Sequence, residues 1–183
     1  MKGGSILPAG NGVFAYDCFD STRACTYDQL RTLLNDDLGN TAWELGSPNA
    51  SSGPTTGAEG SLNAFTTNLG DYGLDSDIAL RSPVIDLSGG GLTQATLTFQ
   101  QFRDADTFGD FGTVRILRSA DESELGTLDP DLTMVDNEWT QFSALLPDTA
   151  LGESIILEFR FTSDNTPDSF SGWSIDNVEI AVQ

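Results

Sequence analysis

The sequence predicts an all-β protein, a two-sheet antiparallel sandwich with one short helix near its N-terminus. Two observations carry the β prediction. Short runs of strand-favouring residues are separated by long polar loops rich in Gly, Ser, Thr, Asp and Pro. One run also alternates cleanly: Ile155, Leu157, Phe159 and Phe161 share one parity, and Ile156, Glu158, Arg160 and Thr162 the other. A period of two is the mark of a half-buried antiparallel strand. The helix rests on Tyr27, Leu30, Leu33, Leu34 and Leu38, which recur at helical spacing, with Thr26 as N-cap and Gly39 as a stop.

In chain order, Gly12 to Tyr16 is a first short strand candidate in an otherwise Gly-rich and irregular segment. The helix follows at about 27–37. Thr41 to Leu45 is a short strand containing Trp43. Residues 46–61 (GSPNASSGPTTGAEGS) read as a surface loop and not a domain linker, because strand candidates stand on both sides, Leu62 to Thr67 being the second. Asp71 to Asp77 is acidic and turn-like. Val84 to Leu87 is short, and Ala95 to Phe102 turns Leu97 and Phe99 one way and threonines the other. Thr113 to Leu117, Trp139 to Leu145 and Ile155 to Thr162 complete the middle of the chain. The closing run, Gly172 to Ile180, has an inconsistent phase: Trp173 and Ile175 share one parity, Val178 and Ile180 the other. Either both faces are covered or a bulge near Asp176 and Asn177 resets the alternation.

A length of 183 residues fits one domain with a sizeable core, 1–183, with an N-terminal segment to residue 40 and the sandwich over 41–183. Eleven Phe and three Trp supply bulky core material and argue for a folded chain. The 28 acidic residues outnumber the eight basic ones, for a net charge of −20. Nucleic acid and anionic membranes both need a positive surface, so neither is an expected partner. No apolar run is long enough to insert in a membrane. Cations remain, calcium the simplest; an acidic surface suited to a salty habitat is the plainer reading of the same charge. The chain has no histidine, which excludes Ser-His-Asp and Cys-His nucleophile arrangements and the usual zinc sites. Cys18 and Cys25 enclose six residues, enough for a small disulfide loop in an oxidising compartment; two free buried thiols are the alternative.

The order of segments is itself a pattern. Trp43-Glu44-Leu45-Gly46 precedes the Gly/Ser/Pro loop, then come Ala64 to Tyr72 (AFTTNLGDY), Leu80 to Ser88 (LRSPVIDLS) and Ala95 to Phe99 (ATLTF). Late in the chain stand Leu157 to Asp164 (LEFRFTSD) and Gly172 to Val178 (GWSIDNV). Over roughly residues 41–181 this resembles the MAM-like jelly-roll modules of secreted bacterial proteins, including the accessory domain of immune inhibitor A-type metallopeptidases. The resemblance implies a concanavalin A-like jelly roll, secretion or surface display, and an accessory role beside other domains. It also implies calcium. The peptidase signature of such proteins needs histidine, so no protease activity is expected of this chain.

Candidate sites follow from residue type. The loop Asp104-Ala105-Asp106-Thr107-Phe108-Gly109-Asp110 has acids at spacings that converge if the loop wraps, and calcium takes about six to eight oxygens. Asp176 is a further candidate ligand from the closing strand. Asp71, Asp75 and Asp77 form a second acidic loop, and Asp164 and Asp168 a third. A solvated acidic loop is the alternative in each case. Tyr72, Phe108, Phe111 and Phe170 lie in polar loops, where a large aromatic either folds inward or meets a ligand. Trp173 is expected in the core. Glu158 is the best-placed candidate for glycoside hydrolysis, with an ion pair to Arg160 as its plainer role. The expected function is a non-catalytic, calcium-stabilised accessory module binding a glycan or a protein partner. A structural or adhesive spacer with no small ligand is the alternative, and a glycan-cleaving enzyme stands third.

Overall fold

The computed structural model describes residues 13–15, 31–34 and 39–183 other than 168. Cys18, Cys25 and Asp168, and with them the disulfide expectation, lie outside the described residues. Among the described residues, twelve strands form two antiparallel sheets: β1 (Val13–Ala15), β2 (Arg31–Leu34), β3 (Trp43–Gly46), β4 (Ala64–Thr67), β5 (Asp77–Arg81), β6 (Ile85–Asp86), β7 (Ala95–Asp104), β8 (Phe111–Arg118), β9 (Glu124–Leu128), β10 (Thr140–Leu145), β11 (Ser154–Thr162) and β12 (Gly172–Val182). One sheet runs β10-β7-β12-β4-β3, the other β2-β5-β11-β8-β9. Each has a long central strand flanked on one side by two short ones. β4 meets β12 at Ser174 and Ile175 while β1 meets it at Glu179 to Ala181. β5 meets β11 at Glu158 to Thr162 while β6 meets it at Ser154 and Ile155.

The two inner faces make the core. In β11, Ile155, Leu157, Phe159 and Phe161 are all buried, as their alternation predicts. Leu97 and Phe99 of β7 point the same way from the facing sheet. Phe99 meets Phe159 edge-on at 5.4 Å, and Trp173 sits 5.9 Å from Phe159 and 5.6 Å from Trp43. Edge-to-face rings at this spacing match the aromatic quadrupoles and add to the area they remove from water. Trp173 is therefore core, as expected, and Trp43 with it.

Of the predicted helix at 27–37 only residues 31–34 are described, and they are not helical. Its central residues, Arg31–Leu34, are strand β2, paired antiparallel with Ile78 to Arg81 of β5. An isolated helix of so few turns is marginal in water, whereas a ladder on the edge of an existing sheet satisfies the same backbone groups with long-range partners. Leucine spacing alone does not see that edge. β5 and β9 carry no strong alternation and were not expected as strands.

The phase break in the closing strand is a β-bulge. The β12–β7 register shifts between Asp176 and Glu179, and Asn177 takes a left-handed φ of 50°. Before the bulge Trp173 and Ile175 face inward; after it Val178 and Ile180 do. Asn tolerates this backbone region better than most residues.

Candidate functional site

Residues 47–63 lie as a strap against one end and the outer face of the first sheet, and buried aspartates hold them there. Asp176 is 1% exposed. Its Oδ2 accepts the amide N–H of Ala58 at 2.9 Å and its Oδ1 that of Asn177 at 2.8 Å. Asp104 Oδ2 accepts the Ser52 hydroxyl at 2.6 Å, the Ser171 amide at 3.1 Å and the Ser171 hydroxyl at 3.0 Å. Asp71 accepts the Ser51 amide at 2.7 Å. Trp139 donates its indole N–H to the Thr56 carbonyl at 3.2 Å. Glu59, in the 3₁₀ turn Ala58–Gly60, accepts from Gln100 and Asn177 side chains at 3.3 Å each. Burial pushes the Asp176 carboxyl up to about 6, with the Glu59 charge adding to the rise; the amides of Ala58 and Asn177 and the Ser61 hydroxyl pull the other way.

Gly57 shows how tightly the strap is seated. A Cβ there would stand 2.2 Å from the Asn63 carbonyl oxygen, 2.7 Å from Asp176 Oδ2 and 2.8 Å from Ser61 Oγ. Three oxygens therefore converge beside this one residue, with Asp176 supplying a carboxylate.

A second cluster ties the loops at the end of the sandwich. Asp110 accepts a short hydrogen bond from the Tyr72 hydroxyl and the Asp164 amide at 3.0 Å. Tyr72 in turn accepts the Asp106 amide at 3.1 Å and packs edge-on against Phe161 at 5.1 Å. The Asp75 amide donates to the Asp164 carbonyl at 2.7 Å. Burial pushes the Asp110 carboxyl above its usual range, against the lowering effect of the Tyr72 and Asp164 hydrogen bonds. The three acidic loops singled out in the sequence do meet here, but through carboxylate-to-donor bonds within the protein. Asp106 Oδ1 caps the Phe108 amide at 3.2 Å, and Asp77 instead forms a two-pronged pair with Arg160 at 2.7 and 2.6 Å. Among the described residues, no three acidic or cysteine side chains gather closely enough to hold a metal ion.

The four loop aromatics separate. Tyr72 folds inward and is buried, and Phe170 is half-buried against the core. Phe108 is 92% exposed and Phe111 58%. These two remain on the surface.

Glu158 sits on the outer face of the second sheet and is buried. Its partners are not Arg160. Oε2 accepts from Arg81 Nε at 2.6 Å and Oε1 from Arg115 Nη1 at 2.5 Å, one arginine on each neighbouring strand. Directly opposed residues across an antiparallel ladder lie closer than residues two apart on one strand, and Glu158 is opposite both Arg81 and Arg115. Glu122 and Glu124 bind the far sides of the same two arginines. With both oxygens held by guanidinium groups, Glu158 has no free edge to present to a glycosidic oxygen.

Sequence reasoning missed Glu59, Ser61, Ser52 and Ser171. They lie in loops without periodicity, and only the fold brings them to Asp104 and Asp176.

No family model and no curated protein matches the chain. Solved structures match its fold. The K1 cleaved adhesin domain of Lys-gingipain from Porphyromonas gingivalis W83 aligns with a TM-score of 0.52 and 19% identity, over 92% of this chain and 96% of that domain. The K3 adhesin domain of the same protein aligns at 0.50 and 21% identity, over 84% and 91%. A cyclase from Fischerella sp. TAU aligns at 0.57 with 14% identity, over 93% and 98%. At these identities the likeness is one of fold, a β-sandwich that serves both adhesin domains and enzymes.

Proposed function

We propose that the chain is a non-catalytic adhesive or accessory module of a larger secreted or cell-surface bacterial protein, and that it binds a glycan or a protein partner. The observation that carries the binding reading is Phe108, 92% exposed on a loop whose backbone is fixed by Asp106, Asp110 and Tyr72. A mobile tip would lose entropy on meeting a ligand; a fixed one has already lost it. The fold of the gingipain adhesin domains agrees with this reading, as does the MAM-like order of segments. The occupied oxygens of Glu158 weigh against a glycan-cleaving role. The test is binding to arrays of glycans and of extracellular proteins by wild type and by Phe108→Ser/Phe111→Ser. The reading expects a wild-type signal that falls at least tenfold in the variant. Binding by neither protein returns the module to a spacer role, and equal binding by both places the contact elsewhere.

Calcium belongs to the same proposal, at the strap and not at the Asp104–Asp110 loop. The carboxylates of Asp176 and Glu59, with the Ser61 hydroxyl and the Asn63 carbonyl, are hard oxygen donors of the type calcium takes. Asp104 and Asp110 are bonded to protein donors as Asp176 is; the strap differs in gathering a hydroxyl and a carbonyl oxygen beside its carboxylate. A bound divalent ion would supply charge neutralisation where two carboxylates now repel. At free calcium about a hundred times its Kd the stabilisation is about 2.7 kcal/mol, or roughly 5–10 °C in Tm for a chain of this size. Chelator should lower the melt by that amount in wild type and leave Asp176→Asn unchanged. A wild-type melt indifferent to chelator would remove calcium from the proposal.

A further inference from the structure

Four of the eight exposed large apolar residues among those described lie in or beside two loops at one end of the sandwich. Phe108 stands in the β7–β8 loop and Phe111 opens β8, and the loop from residue 129 to 139 meets the adjacent Gly112. Leu132 of that second loop lies against Gly112, where an added Cβ would come within 2.5 Å of its Cδ1. Asp136 clamps it to β7: its carboxylate holds the Arg103 guanidinium through two bonds of 2.8 Å, and its amide donates to the Arg103 carbonyl at 2.8 Å. The tip so anchored exposes Met134 at 51% and Val135 at 52%. Two anchored loops at this end thus offer two rings and two further apolar side chains to solvent.

The charge around them is one-sided. Asp106, Asp129 and Asp131 lie in the same two loops. Each arginine whose side chain is described, Arg81, Arg103, Arg115, Arg118 and Arg160, already pairs with a carboxylate. Arg103 and Arg160 stand at this end: besides Asp136, Arg103 is taken up by the carbonyls of Pro130 and Asp131, and Arg160 is held by both oxygens of Asp77. The patch is therefore aromatic and anionic, without a spare cation of its own among the described residues. A second copy of a chain carrying −20 is repelled from it. A guanidinium or ammonium group is drawn to it twice, by the faces of exposed rings and by the carboxylates around them.

We propose that this end of the sandwich docks an arginine- or lysine-bearing segment of a partner protein, with Phe108 and Phe111 as its apolar platform. The inference rests on the binding-module reading and names the chemistry of its ligand. Steering by the −20 field raises the rate of encounter, and the rings distinguish this end from the rest of an acidic surface.

The test uses a labelled peptide of alternating arginine and glycine, and the same peptide with citrulline, a neutral isostere, in place of arginine. Fluorescence anisotropy is read at about 50 and 300 mM salt, spanning a several-fold change in screening. The arginine peptide is expected to bind at least tenfold more tightly than the citrulline peptide and to weaken with salt. Phe108→Ser/Phe111→Ser leaves the net charge unchanged and is expected to weaken binding at least fivefold with no change in Tm. Leu145→Ser, at an apolar residue of β10 about as exposed as Phe111, is expected to change nothing. Equal binding of the arginine peptide by wild type and by the double variant would mean attraction to net charge alone and overturns the proposal; so does equal binding of the citrulline peptide. A glycan that binds through Phe108 while the peptide does not overturns this inference and leaves the binding-module reading standing. No binding of any probe by wild type overturns both.

Discussion

Glu158→Ala is expected to cost about 3–5 kcal/mol of folding stability, the usual consequence of removing one partner from a buried ion pair. The variant leaves Arg81 and Arg115 facing each other across the vacated strand position, their mutual repulsion no longer bridged. Arg81 has most of its side chain out of water and would keep only the solvent-exposed Glu122 as a partner, so its charge is poorly compensated. The control is Glu122→Ala. Glu122 binds the same Arg81 guanidinium at 2.9 Å, but its side chain is 53% exposed, and solvent screening limits that loss to about 1 kcal/mol or less. Urea denaturation of the two variants measures both. A Glu158→Ala protein as stable as wild type would mean that the triad contributes nothing net. Replacing Arg81, Glu158 and Arg115 together by apolar residues of similar volume should recover much of the loss, because the desolvation of three charges disappears with them. The result also bears on function: a glutamate held for folding destabilises when removed, whereas a catalytic one is often dispensable for stability.

Asp176 should make the protein more stable in mild acid than at neutral pH in metal-free buffer. Its carboxyl is raised from an ordinary 3.8 to about 6 in the folded state. As pH climbs from about 4, the unfolded chain releases this proton first and the folded chain resists, so stability falls with rising pH until about 6 and then levels. A shift of this size corresponds to on the order of 2–3 kcal/mol. Asp110, also raised, contributes with the same sign. Asp176→Asn removes the titrating group, at the cost of one amide-to-carboxylate bond. The measured quantity is the difference in unfolding free energy between pH 4.5 and pH 7.5, compared between wild type and variant. An identical difference in the two proteins would show that Asp176 does not titrate in this window.

The helix and the Glu158 pairing show what a single sequence carries. The alternation in 155–162 and in 95–102 made those strands, and their inward faces, readable, because burial on one side of a sheet imposes a period of two. The phase break at Asp176 and Asn177 was readable for the same reason, but the choice between a bulge and burial on both faces came from the β12–β7 register. β2 was not readable: its leucines carry a helical period, and the edge of β5 that recruits them lies more than forty residues away. The acidic residues were found, but their partners were not. Asp104 meets Ser52 and Ser171, Asp176 meets Ala58, and Asp110 meets Tyr72 and Asp164, all contacts between distant segments. The same holds for exposure. Tyr72 and Phe108 sit in similar polar loops, yet one is bonded into the interior and the other stands in water.

The sequence by itself determined an all-β chain, a Trp173 core, a phase break in the last strand, a strongly anionic composition and the exclusion of histidine chemistry. Each of these follows from composition or from local period. Tertiary structure alone decided which carboxylates are consumed in holding loops, which arginines close on Glu158, and which aromatics stay exposed. Those outcomes depend on register and on strand order, and they join segments that have no local signal in common.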